Sequence, residues 1–186
     1  MPGMRATGDH LVGFYGEAQP LVERVAAFLE AGLRANDAAI LIATAEHREM
    51  VESALSAHGL DLESARSRGQ YVALDARETL AKFMGAAAPD RGLFNDSVGA
   101  VLAEAQANYM RVRIYGEMVS LLWAEGRSAA AIALESLWND VIGDRLSLLC
   151  GYMVGALGHS ANELDGITAA HTDVVDPDPR HPRLSA

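Results

Sequence analysis

The chain has 186 residues, 50% of them hydrophobic and 22% charged, enough for one compact domain with a sizeable core and too apolar for whole-chain disorder. A single cysteine and 17 glycines without a period exclude a disulfide scaffold and a collagen-like chain. With 15 Lys+Arg against 25 Asp+Glu the formal net charge is -10, which repels phosphate backbones and anionic lipid, so direct nucleic-acid or membrane binding is not expected.

Residues 1–9 lack the charged-then-apolar layout of a leader and read as an N-terminal extension. A β-rich run, Leu11–Tyr15, comes first. Leu21, Val25, Phe28 and Leu29 then share a helical face, which Gly32 and Asn36-Asp37 should close. Ala38–Thr44 is a near-continuous apolar run, the signature of a strand covered on both sides. Met50, Val51, Ala54 and Leu55 form the next stripe, ended by His58-Gly59. Gln70–Leu74 is the third strand, and Ala86–Gly92, with Pro89-Asp90, is a turn or loop. Phe94, Val98, Val101, Leu102 and Ala105 make a third helical stripe before the strand Arg111–Tyr115. A helix closed by Glu125-Gly126 follows, then a stripe of Leu134, Trp138, Val141 and Ile142, then the strand Leu146–Tyr152. Gly158–His171 reads as a last helix at the sheet edge, and residues 173–186, with Pro177, Pro179 and Pro182, as a flexible tail. No apolar run reaches the roughly 18 residues of a membrane helix. The lone Cys150 has no intrachain partner, so a reduced, cytoplasmic compartment is expected.

Five strand–helix alternations predict an α/β fold with three layers: a mainly parallel sheet with helices on both faces. Such sheets bind ligands beyond the carboxyl ends of their strands. Those ends carry Phe14-Tyr15-Gly16-Glu17, Thr44 with His47 after it, Asp75, Tyr115-Gly116-Glu117 and Cys150-Gly151-Tyr152. Glycines there let a backbone approach a ligand closely, although polar turns also end the strands of an inert domain. The slot after the first strand, Gly16-Glu17-Ala18-Gln19-Pro20-Leu21, holds no second glycine, lysine or hydroxyl. An ordinary phosphate loop is therefore absent, as is a G-x-G-x-x-G turn. Glu117 opens a helix, where the helix dipole favours a carboxylate; the functional alternative is a residue that orients water or a ligand. Glu135 borders an apolar stripe and needs a partner, either Asn139 at i+4 or an arginine. His10, His47 and His171 show no i,i+4 metal spacing, so no metal site is expected. Cys150 reads as a core thiol. There is no G-x-S-x-G elbow for a serine nucleophile.

Several segments, taken in order, resemble one family. They are His10-Leu-Val-Gly-Phe14-Tyr15; Ala39-Ile-Leu-Ile-Ala43-Thr44 with His47; Gly69-Gln70-Tyr71 leading to Asp75-Ala76; Arg113-Ile-Tyr-Gly-Glu117-Met118-Val119; Leu134-Glu135-Ser-Leu-Trp138-Asn139; and Leu148-Leu-Cys150-Gly-Tyr152. The series resembles the MEDS domain, a sensory domain named for methanogen and methylotroph proteins and the dichloromethane-metabolism regulator. The resemblance covers residues 10–172. It implies a RecA/KaiC-like (P-loop NTPase-like) fold that has lost its phosphate loop. It also implies detection of a small molecule and partners such as a histidine kinase or a transcription regulator. Only a short tail follows His171 in this sequence, so the expected signal passes to another chain or to a second copy.

The sequence is thus expected to encode a stand-alone, non-catalytic sensory domain that binds a small molecule at the strand ends. Tyr15, Gly16, Thr44, His47, Glu117, Glu135, Trp138 and Tyr152 are the candidate ligand-binding residues, with no catalytic residue, no metal and no cofactor. Two alternatives stand beside it. One is a nucleotide-binding or hydrolysing enzyme with an unusual phosphate site, in which Glu117 orients water. The other is a ligand-free homo-oligomeric module that associates through the Ala-rich helix after Ser128.

Overall fold

The computed structural model describes residues 8–154 and 161–175. β1 (His10–Tyr15) leads into α1 (Ala18–Arg34), then β2 (Ala38–Ala43), α2 (Ala45–Ala57), α3 (Leu62–Ser67) and β3 (Tyr71–Asp75). The chain continues through α4 (Ala76–Ala81), α5 (Arg91–Phe94), a π-helical turn at Asn95–Gly99 and α6 (Ala100–Asn108) to β4 (Val112–Gly116). Then come α7 (Met118–Ala124), α8 (Ser128–Val141), β5 (Leu146–Met153), α9 (Ala161–Ala169) and β6 (Asp173–Val174). The six strands form one all-parallel sheet in the order β3-β2-β4-β5-β1-β6. The α/β reading is correct, with one strand more than expected. β6 pairs Asp173 with Leu11 and Val174 with Val12, so the sheet extends two residues past the expected boundary at 172. Residues 176–186 of the expected tail lie outside the described residues.

Two cores sandwich the sheet. Leu21, Val25 and Leu29 of α1, with Val51, Leu55 and Leu62, cover one face. Phe83, Phe94, Val98, Leu102, Leu122, Leu134 and Trp138 cover the other. β2 is buried along its whole length, as its unbroken apolar run requires. Phe94 stands edge-on to both Phe83 and Trp138, with centroids 5.2 Å apart in each pair. The third stripe is not one regular helix. The π turn at Asn95–Gly99 inserts extra backbone between Phe94 and Leu102, yet both stay buried.

Asp75 and Asp90 cap α4 and α5: Asp75 accepts from the backbone N–H of Arg77 and Glu78, and Asp90 from that of Leu93. Asp75 is thus a helix cap. Asn36, at φ 61°, reverses the chain after α1. Gly32 does not end that helix. It lies inside α1, where an added Cβ would fall 2.6 Å from Cδ of Arg113. Arg113 passes beneath it to stack on Phe28 and reach Asp37. In the Ala-rich helix α8, Ala130, Ala131 and Leu134 are core residues, while Ala129 and Ile132 stay exposed.

Candidate functional site

The helices after β2 and β4 leave the sheet on opposite faces. α2 packs with α1 and α3 on one side, and α7 with α4 and α8 on the other. β2 and β4 are neighbours, so their carboxyl ends form the kind of switch point at which open parallel sheets hold ligands. Three of the expected residues meet there. Glu117, next after β4, is only 3% exposed. Its Oε2 accepts from the Thr44 amide at 2.9 Å and the Thr44 hydroxyl at 3.3 Å. Its Oε1 lies 2.6 Å from Nδ1 of His47. The Glu117 amide donates to Ile42 O at 2.9 Å, fixing the residue against β2. The hydrogen bond to Glu117 raises the His47 pKa, against the effect of burial. Glu117 occupies the N-cap position of α7, but its side chain makes no capping bond. The carboxylate instead bridges the end of β4 to Thr44 and His47.

The other five expected residues, Glu135 among them, lie away from this trio. Trp138 is fully buried in the helical core, and Tyr15 lies on the α1 face. β5 runs on to Met153, so Tyr152 is an interior residue and not part of a rim. Its hydroxyl donates to Oε1 of Glu135 at 2.6 Å. Gly16 is exposed, in the two-residue link between β1 and α1. That link is too short for a loop that wraps phosphate, and Glu17 places a carboxylate at the helix start.

Two glycines inside the strands serve internal packing. Gly13 and Gly151 face each other in β1 and β5. A Cβ on Gly13 would fall 2.3 Å from Oη of Tyr15, and one on Gly151 2.6 Å from Oη of Tyr115. The two phenol rings therefore lie over bare backbone. Burial pushes Tyr15 up to about 12 and Tyr115 well above its ordinary value. The buried Tyr115 hydroxyl has no hydrogen-bond partner among the described residues.

Glu135 is fully buried, and neither expected partner holds it. Oε2 lies 3.1 Å from Nε2 of His10 and 3.4 Å from Sγ of Cys150. Oε1 lies 3.3 Å from Nε2 of His171. Burial works to raise the carboxyl pKa, but the two imidazoles outweigh it and hold the group at about 2. Asn139 instead contacts Nδ1 of His10 at 2.8 Å and donates to Ala170 O at 3.0 Å. Sequence reasoning missed this cluster because its members lie on β1, α8, β5 and the segment after α9, far apart along the chain. The one available signal was a glutamate on an apolar helical stripe.

Between α1 and α2 lies an open groove of about 450 Å³, lined by Gln19, Val22, Glu49, Met50, Ser53, Ala54 and Ala57. It includes none of the expected residues.

The family model for MEDS, the MEthanogen/methylotroph, DcmR Sensory domain, matches residues 9–172. The chain belongs to the MEDS family. This MEDS domain is therefore a sensory domain, and its all-parallel three-layer sheet agrees with the RecA-like architecture expected from the resemblance. No curated protein matches the chain. Among the described residues no helix is long and apolar enough to cross a membrane.

Proposed function

We propose that this MEDS domain senses a small molecule at the carboxyl ends of β2 and β4 and passes the signal to another protein without turning the ligand over. The observation that carries the reading is the buried Glu117 carboxylate, which ties the end of β2 to His47 at the switch point between diverging helices. The His47 side chain is 12% exposed against 4% for Glu117, so an incoming ligand meets the imidazole first. A ligand that competes for the Glu117 oxygens would release Thr44 and His47, and with them the start of α2. That helix start is the element through which occupancy becomes a change of shape. A polar small molecule with a hydrogen-bond donor suits this trio. The absent phosphate loop argues against nucleotide hydrolysis. Receivers of the signal would be a histidine kinase, a transcription regulator or a second copy of the domain.

The test is a thermal-shift screen of small carbon compounds and nucleotides, followed by calorimetry on each hit with wild type and Glu117→Gln. A hit whose affinity falls at least tenfold in Glu117→Gln supports the reading. A hit that binds both equally, or no hit in a broad panel, overturns it. Magnesium-dependent phosphate release that vanishes in Glu117→Gln would favour the hydrolase alternative.

A further inference from the structure

The cluster around Glu135 lies inside the domain, apart from the proposed ligand site. His10, Glu135, Cys150 and His171 each offer one ligand-type atom, and these four atoms lie within 4.8 Å of one another. The proton positions follow from the outer contacts. The amide nitrogen of Asn139 donates to Ala170 O, which turns the amide oxygen toward His10. His10 Nδ1 must therefore carry a proton and donate it. His171 Nδ1 faces the Ile167 carbonyl at 2.7 Å and must do the same. In the neutral rings, both Nε2 lone pairs then point at Glu135, which is itself an acceptor.

His171 makes the conflict plain. Its side chain is 0% exposed, and Nε2 makes no hydrogen bond, although Oε1 of Glu135 is only 3.3 Å away. The Nε2 lone pairs of two imidazoles thus face a buried carboxylate that already accepts from the Cys150 thiol and the Tyr152 hydroxyl. Either buried imidazolium protons or a single cation can reconcile them.

Geometry favours the cation. A tetrahedral zinc ion with Zn–N and Zn–O near 2.0 Å and Zn–S near 2.3 Å has ligand–ligand edges of about 3.3–3.6 Å. The observed edges among three of the ligands are 3.1 Å from His10 to Glu135 Oε2, 3.5 Å from His10 to Cys150 and 3.4 Å from Cys150 to Glu135 Oε2; His171 stands 3.3 Å from the other oxygen, Oε1, and all four ligand atoms lie within 4.8 Å of one another. The outer contacts also match those of metal ligands. Each imidazole donates its second N–H to a carbonyl-type oxygen, and Tyr152 donates to Oε1 of Glu135, the oxygen that faces His171. One carboxylate and one thiolate would neutralise a divalent ion, leaving no net charge in the core.

We propose that His10, Glu135, Cys150 and His171 form a closed binding site for one divalent zinc-class ion. On binding, the Cys150 thiol releases its proton to solvent and the thiolate bonds to the metal. Four protein ligands leave no open position, so the site is structural. It pins the start of β1, the middle of β5, α8 and the segment between α9 and β6 to one point.

The test uses the full chain, purified without chelators or metal-affinity resin. Elemental analysis is expected to find one zinc ion per chain. Cobalt replacement is expected to give the intense visible bands of a tetrahedral site together with thiolate-to-cobalt charge transfer. Cys150→Ser should lose the charge transfer, and His171→Gln should weaken metal binding at least tenfold. If either variant fails to fold, the wild-type cobalt spectrum decides alone. A natively folded wild type that takes up no zinc or cobalt overturns the proposal. So does a six-coordinate cobalt spectrum without thiolate bands.

Discussion

Tyr115 lies over Gly151, and the pair yields a prediction with opposite signs at its two ends. In Gly151→Ala the new Cβ would stand 2.6 Å from Oη of Tyr115, 2.8 Å from Cδ1 of Leu21 and 2.9 Å from Cε2 of Tyr115. The backbone cannot retreat, because β5 is hydrogen-bonded to β1 on one side and β4 on the other. Overpacking of this kind costs about 1–3 kcal/mol, and relief of glycine's chain entropy returns roughly 0.5–1 kcal/mol. The expected net loss is about 1–2 kcal/mol. Tyr115→Phe acts the other way. It deletes a buried hydroxyl that has no partner among the described residues, and an unpaired group of that kind costs about 1–3 kcal/mol. A gain of roughly 1 kcal/mol is expected once the small void is allowed for. Tyr115→Phe also removes the closest clash, so the double variant should be more stable than the sum of the singles by at least about 0.5 kcal/mol. Urea denaturation followed by circular dichroism measures all three. A Tyr115→Phe variant destabilised by more than about 1 kcal/mol would show that the hydroxyl is satisfied, and the packing argument would fail.

Three further outcomes follow from local geometry. The raised His47 pKa comes first from its bond to Glu117. The stabilisation should therefore be complete below the ordinary histidine value of about 6.5 and lost as pH rises through the higher folded value. Denaturation midpoints across that window should fall in wild type and lose this component in His47→Gln; parallel profiles would contradict the pairing. Asn36→Ala, at φ 61°, should cost about 1 kcal/mol while Asn36→Gly stays within a few tenths, checked by thermal melts. Cys150, fully buried, should react with a water-soluble thiol reagent only as fast as the protein unfolds; fast labelling of folded protein would place the thiol at the surface.

Elements governed by local periodicity were legible in the sequence. Leu21, Val25, Phe28 and Leu29 are all buried on one face of α1, and Ala38–Ala43 is the fully covered strand its composition demanded. Positions set by distant contacts were not. Gly32 looked like a helix terminator because glycine usually is one, whereas here it makes room for Arg113. Tyr152 looked like a rim residue because nothing local showed that β5 would continue past it. The partners of Glu135 come from opposite ends of the chain, and only the pairing of β1 with β5 on one side and β6 on the other brings His10 and His171 near it. Within the candidate site, Thr44, His47 and Glu117 could be read individually as strand-end residues. That they meet follows from β2 lying beside β4, a crossover that no spacing in the sequence encodes.

The strand-end reading is tested most directly by amide chemical-shift mapping with the first small molecule found to bind. The largest shifts should fall on Thr44, His47 and Glu117, with the start of α2 following. Shifts confined to Gln19, Met50 and Ala54 in the groove between α1 and α2, with Thr44 and Glu117 unmoved, would contradict the account.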